Sequence, residues 1–457
     1  MTRERHSASM RRFRFSLVLI AGAFLLTAAA PFEPPHSGSR TVYRHVTLID
    51  GTGRPAQADM AVLTDGERIL DVMRDNQLTG SQLRGAHVVE LAGKFLIPGL
   101  IDTHQHLATP PDREDALARL KRDVYSGVTA TRDMADDLRQ IADITRSARV
   151  GEIASPDIAY AALMAGPSFF NDPRTQAIAA GAIAGHVPWE QAVDSNTDLK
   201  LAIAQAKGTY ATAVKIYANL PGDTVAKISL EAHRQQLRVW AHGMVFPATP
   251  FEVVDAGADT VSHSCYLAYQ AMSQRPADYQ HRIPIDASLF ERDNPVMAKL
   301  YADMARRGTI LDATLHVYRE VEAAARTQKK PPLCTVALAG KLTNQAYRSG
   351  VAISTGTDGD TPLTDPFPSL FDELELLHDV AGLPPGAVLE AATINGARAM
   401  GAEKDMGSIE RGKLANLVVL AKNPLQDVRN FRSVVMTVKR GRQFHRTDLQ
   451  RSSDTPA

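Results

Sequence analysis

The chain has 457 residues, 44% hydrophobic and 22% charged, an ordinary globular composition with room for one large barrel and a small accessory domain. Lysine plus arginine and aspartate plus glutamate each total 51, so no net field draws the molecule to nucleic acid or to an anionic membrane. Two cysteines, Cys265 and Cys334, are too few to scaffold a protein of this size; two buried free thiols are the expected reading, and pairing after export is the alternative.

In chain order, Arg11, Arg12 and Arg14 precede an apolar run over 15–26 that ends in Thr27-Ala28-Ala29-Ala30. A basic stretch, a short apolar stretch and small residues read as a secretory signal over 1–29, cleaved after Ala29. The run is shorter than the roughly 20 apolar residues that span a bilayer. The expectation is therefore an exported protein, periplasmic or secreted, with no stable membrane insertion after signal removal. Arg11-Arg12 leaves the twin-arginine route open. Residues 30–39 read as a Pro/Gly/Ser-rich linker, and 447–457 as a disordered tail.

From 40 to 94, short β-type runs alternate with turn signals such as Asp50-Gly51-Thr52-Gly53. Further strands fall at 416–420 and 433–438. Neither group has enough strands to close a core, so 40–94 and 402–446 are expected to pair as a small β-sandwich. Between them, 95–401 alternates apolar β runs with helical stretches, the pattern of a parallel α/β sheet. Eight candidate strands (95–102, 128–133, 158–163, 213–217, 239–242, 260–263, 309–314 and 351–355) suit a (β/α)8 TIM barrel. Leu370, Leu374, Leu377 and Ala381 mark one apolar helix face. Residues 164–200, with Phe169, Phe170 and Trp189, form a long Gly/Ala-rich segment after the third strand that either shapes substrate access or is a plain surface insertion.

The chemistry concentrates at strand ends. In Ile101-Asp102-Thr103-His104-Gln105-His106, alternate residues share one side of a strand, so His104 and His106 converge on one point. His242, His263 and Asp358 each close an apolar run in the same way. Barrel enzymes place catalytic groups at the C-terminal edges of their strands, and imidazole is a favoured zinc ligand. Lys215, in Val214-Lys215-Ile216-Tyr217, faces inward from the fourth strand. A bare buried cation is costly there. Either a carboxylate pairs with it, or its neutral amine takes up carbon dioxide as a carbamate that bridges two metals.

These residues, together with Gly127-Val128-Thr129-Ala130-Thr131-Arg132-Asp133, Ala392-Thr393-Ile394-Asn395-Gly396-Ala397 and Gly407-Ser408-Ile409-Glu410-Arg411-Gly412-Lys413, resemble the amidohydrolase superfamily. Within it, the chain is most similar to the binuclear branch of prolidase-like Xaa-Pro dipeptidases and carboxypeptidases, related to imidazolonepropionase. The resemblance implies two divalent ions, expected to be zinc. His104 and His106 would hold one and His242 and His263 the other, with carbamylated Lys215 between them and Asp358 as a further ligand. It also implies that a hydroxide between the metals attacks an amide carbon while Asp358 acts as general base and then acid. Tyr217 is either a hydrogen-bond donor to the developing oxyanion or a core residue. Asn416 stands where the family usually has Asp, in the accessory strands and away from these ligands.

The implied substrate is a dipeptide or N-acyl amino acid. A cyclic amide or lactone opened on the same site is the alternative, and a non-catalytic metal-bound binding protein a third reading. A deaminase of the same superfamily generally carries Glu three residues after the fifth-strand histidine, where this chain has Val245. A homo-oligomer is left open.

Overall fold

The computed structural model describes residues 40–453. The expected signal segment and linker lie outside them, and nothing on 1–39 enters the description.

Eight parallel strands line up in one ring: β1 (Leu100–Gln105), β2 (Val128–Asp133), β3 (Asp157–Ala165), β4 (Ala213–Ile216), β5 (Arg238–His242), β6 (Thr260–Ser262), β7 (Ile310–Asp312) and β8 (Ile353–Ser354). Each pairs with the next in parallel register. The ring closes where Thr103 N–H donates to the Thr355 carbonyl at 2.6 Å and Thr355 Oγ1 donates to the Ile101 carbonyl at 2.8 Å. Asp102 ties the same seam, accepting from His104 N–H and Thr357 Oγ1. The fold is a TIM barrel, as the alternating pattern requires.

Local sequence sets the helix boundaries. Leu138–Val150 starts where the Asp137 carboxylate accepts from Arg139 N–H, and it ends at Gly151 in the left-handed region, φ 76°. The helix Leu370–Asp379 buries Leu370, Leu374 and Leu377, the face marked by their spacing, with Ala381 buried just past its end. Among the described residues no helix is long and apolar enough to cross a membrane.

The predicted strand 95–102 is divided. Phe95–Pro98 belongs to the accessory sheet, antiparallel to Leu417–Leu420 and parallel to Thr41–Leu48, whereas β1 begins at Leu100. Gly99 makes the break: a Cβ there would lie 2.0 Å from Thr129 Oγ1, so only glycine permits this close passage between sheets. Strands from both chain ends, including Gln57–Asp65, Arg68–Arg74 and Val434–Lys439, form one continuous mixed sheet. One apolar layer that holds Tyr43, Val62, Leu96, Leu417 and Val438 is buried under it. Asn416 Oδ1 accepts from Arg440 N–H at 2.8 Å, so an amide serves this turn.

Two expectations are corrected. Residues Arg446–Ser453 form a helix where a disordered tail was expected. Its first residue is anchored, with the Arg446 guanidinium on Ser126 Oγ at 2.9 Å and over the Phe367 ring at 4.3 Å. Cys265 and Cys334 are not free thiols but a disulfide, with Cα atoms 6.4 Å apart. Their separation of 69 residues hides this proximity from the sequence, and only the folding back of the segment after β7 onto the turn after β6 creates it.

Candidate active site

The sequence-marked residues meet at the C-terminal mouth of the barrel. Asp358, on the loop after β8, lies between three imidazoles: its carboxylate is 3.5 Å from His104 Nε2, 3.4 Å from His106 Nε2 and 3.8 Å from His263 Nδ1. Ligand atoms of His104, His263 and Asp358 fall within 4.8 Å of one another. The His242 ring stands 4.8 Å from that of His263, edge to face. Asp358 and His263 have φ of 48° and 76°, backbone that non-glycine residues rarely adopt and that aims their side chains into the mouth.

Polar partners orient the imidazoles from behind. Asp312, at the end of β7, pairs with His104 Nδ1 at 2.8 Å and accepts from Thr103 Oγ1, Ser262 Oγ and Arg132 Nη2. Asp136 holds His106 Nδ1 at 2.8 Å, and Thr314 Oγ1 meets His263 Nδ1 at 2.9 Å. Fixing Nδ1 of His104 and His106 turns Nε2 toward Asp358, the arrangement in which a metal-ligating histidine is steered by a carboxylate. Gly356 lets this machinery close up, since a Cβ there would lie 2.0 Å from Asp312 Oδ1.

Beside the histidine cluster, the buried Lys215 Nζ and His242 Nδ1 have no hydrogen-bond partner among the described residues. Leaving such groups unsatisfied is expensive. Burial, together with the Arg132 charge, pushes the Lys215 amine down to about 7. Burial likewise pushes His263 down to about 3, and His242 well below the usual histidine range. Burial works to raise Asp358, but the facing imidazoles hold it below the carboxylate range. Burial works to lower His106 too, but the carboxylates of Asp136 and Asp358 push it up to about 10, whereas burial keeps His104, His242 and His263 neutral. One ionised carboxylate, three neutral imidazoles and an unpartnered amine form a donor set suited to divalent cations, and His106 would join it on giving up its proton.

Tyr217 leaves β4 on the Lys215 side. Its ring lies 3.9 Å from that of His242 and stacks on Phe169 at 4.6 Å, and its hydroxyl accepts from Arg174 Nη1 at 3.2 Å. It forms the partition of a cavity with two lobes, about 300 Å³ and about 210 Å³, which share His106, Arg174, Tyr217 and Asp358. The 164–200 segment contributes to that wall. Its turn Pro167–Asn171 and helix Pro173–Ile178 bring Phe169 and Arg174 to the site, while Phe170 and Trp189 pack in the core beneath.

Sequence reading missed Asp312 and Asp136. Asp312 carried a usable signal, an acid closing the apolar run Ile310-Leu311, like the histidines of the neighbouring strands. Asp136 lies in a turn with no periodicity to mark it. Tyr266, in the single-turn helix Ser264–Leu267, and Tyr279 and Arg282, in irregular chain, also line the larger lobe, and none of them has a spacing to read.

Residues 95–444 match the amidohydrolase family. The chain belongs to that family. Imidazolonepropionase of Shouchella clausii is 26% identical over 388 residues, 79% of this chain and 78% of that protein. A 5-methylthioadenosine/S-adenosylhomocysteine deaminase of Thermoanaerobacter pseudethanolicus is 29% identical over only 126 residues, 24% of this chain, which spans 29% of the deaminase's length. Among solved structures, a Xaa-Pro dipeptidase with bound methionine in its active site superposes with TM-score 0.69 and 20% identity, covering 89% of this chain and 100% of that one. A. niger ochratoxinase gives TM-score 0.69 and 19% identity over 90% and 96% of the two chains. This amidohydrolase is thus a hydrolase acting on carbon–nitrogen bonds, on the barrel and with the family resemblance read from its motifs. The non-catalytic reading falls with it.

Proposed function

We propose that this amidohydrolase cleaves the amide bond of a dipeptide or an N-acyl amino acid, using two divalent ions, zinc by preference, and a carbamylated Lys215. The supporting observation is the pair of unpartnered buried atoms, Lys215 Nζ and His242 Nδ1, facing a cluster of imidazoles and one carboxylate. As a carbamate the lysine would exchange a bare buried amine for an anion whose two oxygens could ligate divalent ions. His104, His106, His242, His263, Asp358 and the modified Lys215 would hold the ions. Bound there, the ions supply Lewis acidity toward a carbonyl and lower the pKa of a water.

The chain's own groups do the rest. Asp358 is ionised and lies within reach of three imidazoles, so it takes the proton of the attacking water and delivers it to the departing nitrogen. Asp312, Asp136 and Thr314 keep the imidazoles from turning during the reaction. Arg174 donates to the Tyr217 hydroxyl, whose own proton can turn from the Tyr279 oxygen, 3.5 Å away, to the oxyanion that develops on the substrate. Phe169 and the tyrosine wall exclude water.

A second reading, opening of a cyclic amide or lactone on the same groups, is favoured by the likeness to imidazolonepropionase over most of both chains. Export is proposed from the N-terminal segment, and the Cys265–Cys334 disulfide fits an oxidising compartment. Challenging the zinc-loaded enzyme with dipeptides, N-acyl amino acids, hydantoins, imidazolones and lactones separates the readings. Release of free amino acids supports the first; turnover confined to rings supports the second and overturns the first.

A further inference from the structure

The two lobes of the cavity differ in chemistry. Ile178, Leu163, Met134, Ala135 and Phe169 wall the smaller lobe, and all five are buried. Besides the shared His106, Arg174 and Asp358, none of its lining residues is charged. An acyl chain suits such a wall, and a free ammonium would have no acid there to pair with other than Asp358, which the cluster already engages.

The larger lobe is cationic and aromatic. Arg282 lies over the Tyr279 ring at 3.8 Å and donates to the Tyr266 hydroxyl. Those two rings stand 5.8 Å and 5.2 Å from the His242 ring, so the guanidinium is one aromatic layer behind the imidazole. Its Nε is buried with no hydrogen-bond partner among the described residues. Asp172, an acid whose charge it feels, is already clasped by Arg174 at 3.0 Å and 2.9 Å. A half-buried guanidinium held flat by tyrosines at a cavity wall is suited to a planar anion.

Resting on the amide-hydrolase reading above, we infer that the substrate is an N-acyl amino acid with an apolar acyl group in the smaller lobe, its free carboxylate held by Arg282 in the larger one, and that a free α-amine disfavours binding. Arg282 is then the group that sets specificity for the leaving amino acid, and the enzyme works from the carboxyl end of its substrate.

Three compounds of one skeleton test this: N-hexanoyl-leucine, N-hexanoyl-leucinamide, which lacks only the carboxylate, and norleucyl-leucine, which adds only the ammonium. With the zinc-loaded enzyme, the first should exceed each of the others in kcat/KM by about 30-fold, the worth of one charge-assisted contact. Arg282→Met should raise KM for N-hexanoyl-leucine by a similar factor with kcat nearly unchanged, and should leave the leucinamide as it was. Arg282→Lys should recover part of the loss, which a folding defect would not allow. Calorimetric binding of N-hexanoyl-leucine to metal-free enzyme should weaken in Arg282→Met to the same degree. Equal kcat/KM for acid and amide would overturn the role of Arg282, and equal or better cleavage of norleucyl-leucine would overturn the acyl assignment. Both results leave amide hydrolysis standing. Turnover of cyclic compounds alone, with none of the three cleaved, would instead remove the underlying reading and this inference with it.

Discussion

Replacing Asp312 by asparagine changes one side-chain atom at the centre of the site. Its carboxylate accepts from four side chains, those of His104 at 2.8 Å, Thr103 at 2.9 Å, Ser262 at 3.0 Å and Arg132 at 3.3 Å. An amide cannot accept at both ends, and it carries no charge for Arg132, whose side chain, like that of Asp312, is fully buried. Uncompensating a buried ion costs about 3–5 kcal/mol, and losing a carboxylate behind a metal-ligating histidine costs about 10–100-fold in metal affinity. The two effects separate in the double variant Asp312→Asn/Arg132→Met. Removing the stranded charge should restore most of the melting temperature of the metal-free protein, while zinc affinity, read by chelator competition, stays low because His104 is still unsteered. Wild-type zinc affinity in Asp312→Asn would refute the reasoning, as would a double variant less stable than the single one.

Lys215→Ala should lose bound metal and at least about a thousandfold in turnover, a deficit of several kcal/mol in the transition state. Added short-chain carboxylate should restore part of it; wild-type activity without addition would contradict the carbamate. Serine at both Cys265 and Cys334 opens a loop of 69 residues, which the chain-entropy model values at about 4 kcal/mol. Melting of the wild type should fall on reduction while that of the double serine variant should not. Two titratable thiols in unreduced, denatured wild type would contradict the bond.

The barrel and the cluster of polar side chains at its mouth were legible in the sequence because both leave local marks. Apolar runs of strand length ended in a histidine or an aspartate, one run carried a lysine facing inward, and such runs can face one place if the strands form a ring. His104-Gln105-His106 was readable from the alternation of a strand alone. Residues whose role depends on distant partners left no such mark. The disulfide joins segments that meet only through barrel closure. Asp136 and Arg282 sit in irregular chain, and their roles come from what stands opposite them. The strand expected over 95–102 was divided because one glycine serves two sheets, and nothing in an apolar run shows which neighbour each half will pair with. Asp312 was missed for a different reason: the strand expected over 309–314 put it in mid-strand, whereas the strand ends at Asp312 itself.

The account rests on one gathering of donors at the barrel mouth. Anomalous scattering from crystals of the zinc-loaded protein, recorded on both sides of the zinc edge, tests it most directly. The account predicts two peaks, one against His104 and His106 and one against His242 and His263, with density for a carboxylated Lys215 between them. A single peak away from these side chains, or an unmodified lysine amine with no ion near it, would contradict it.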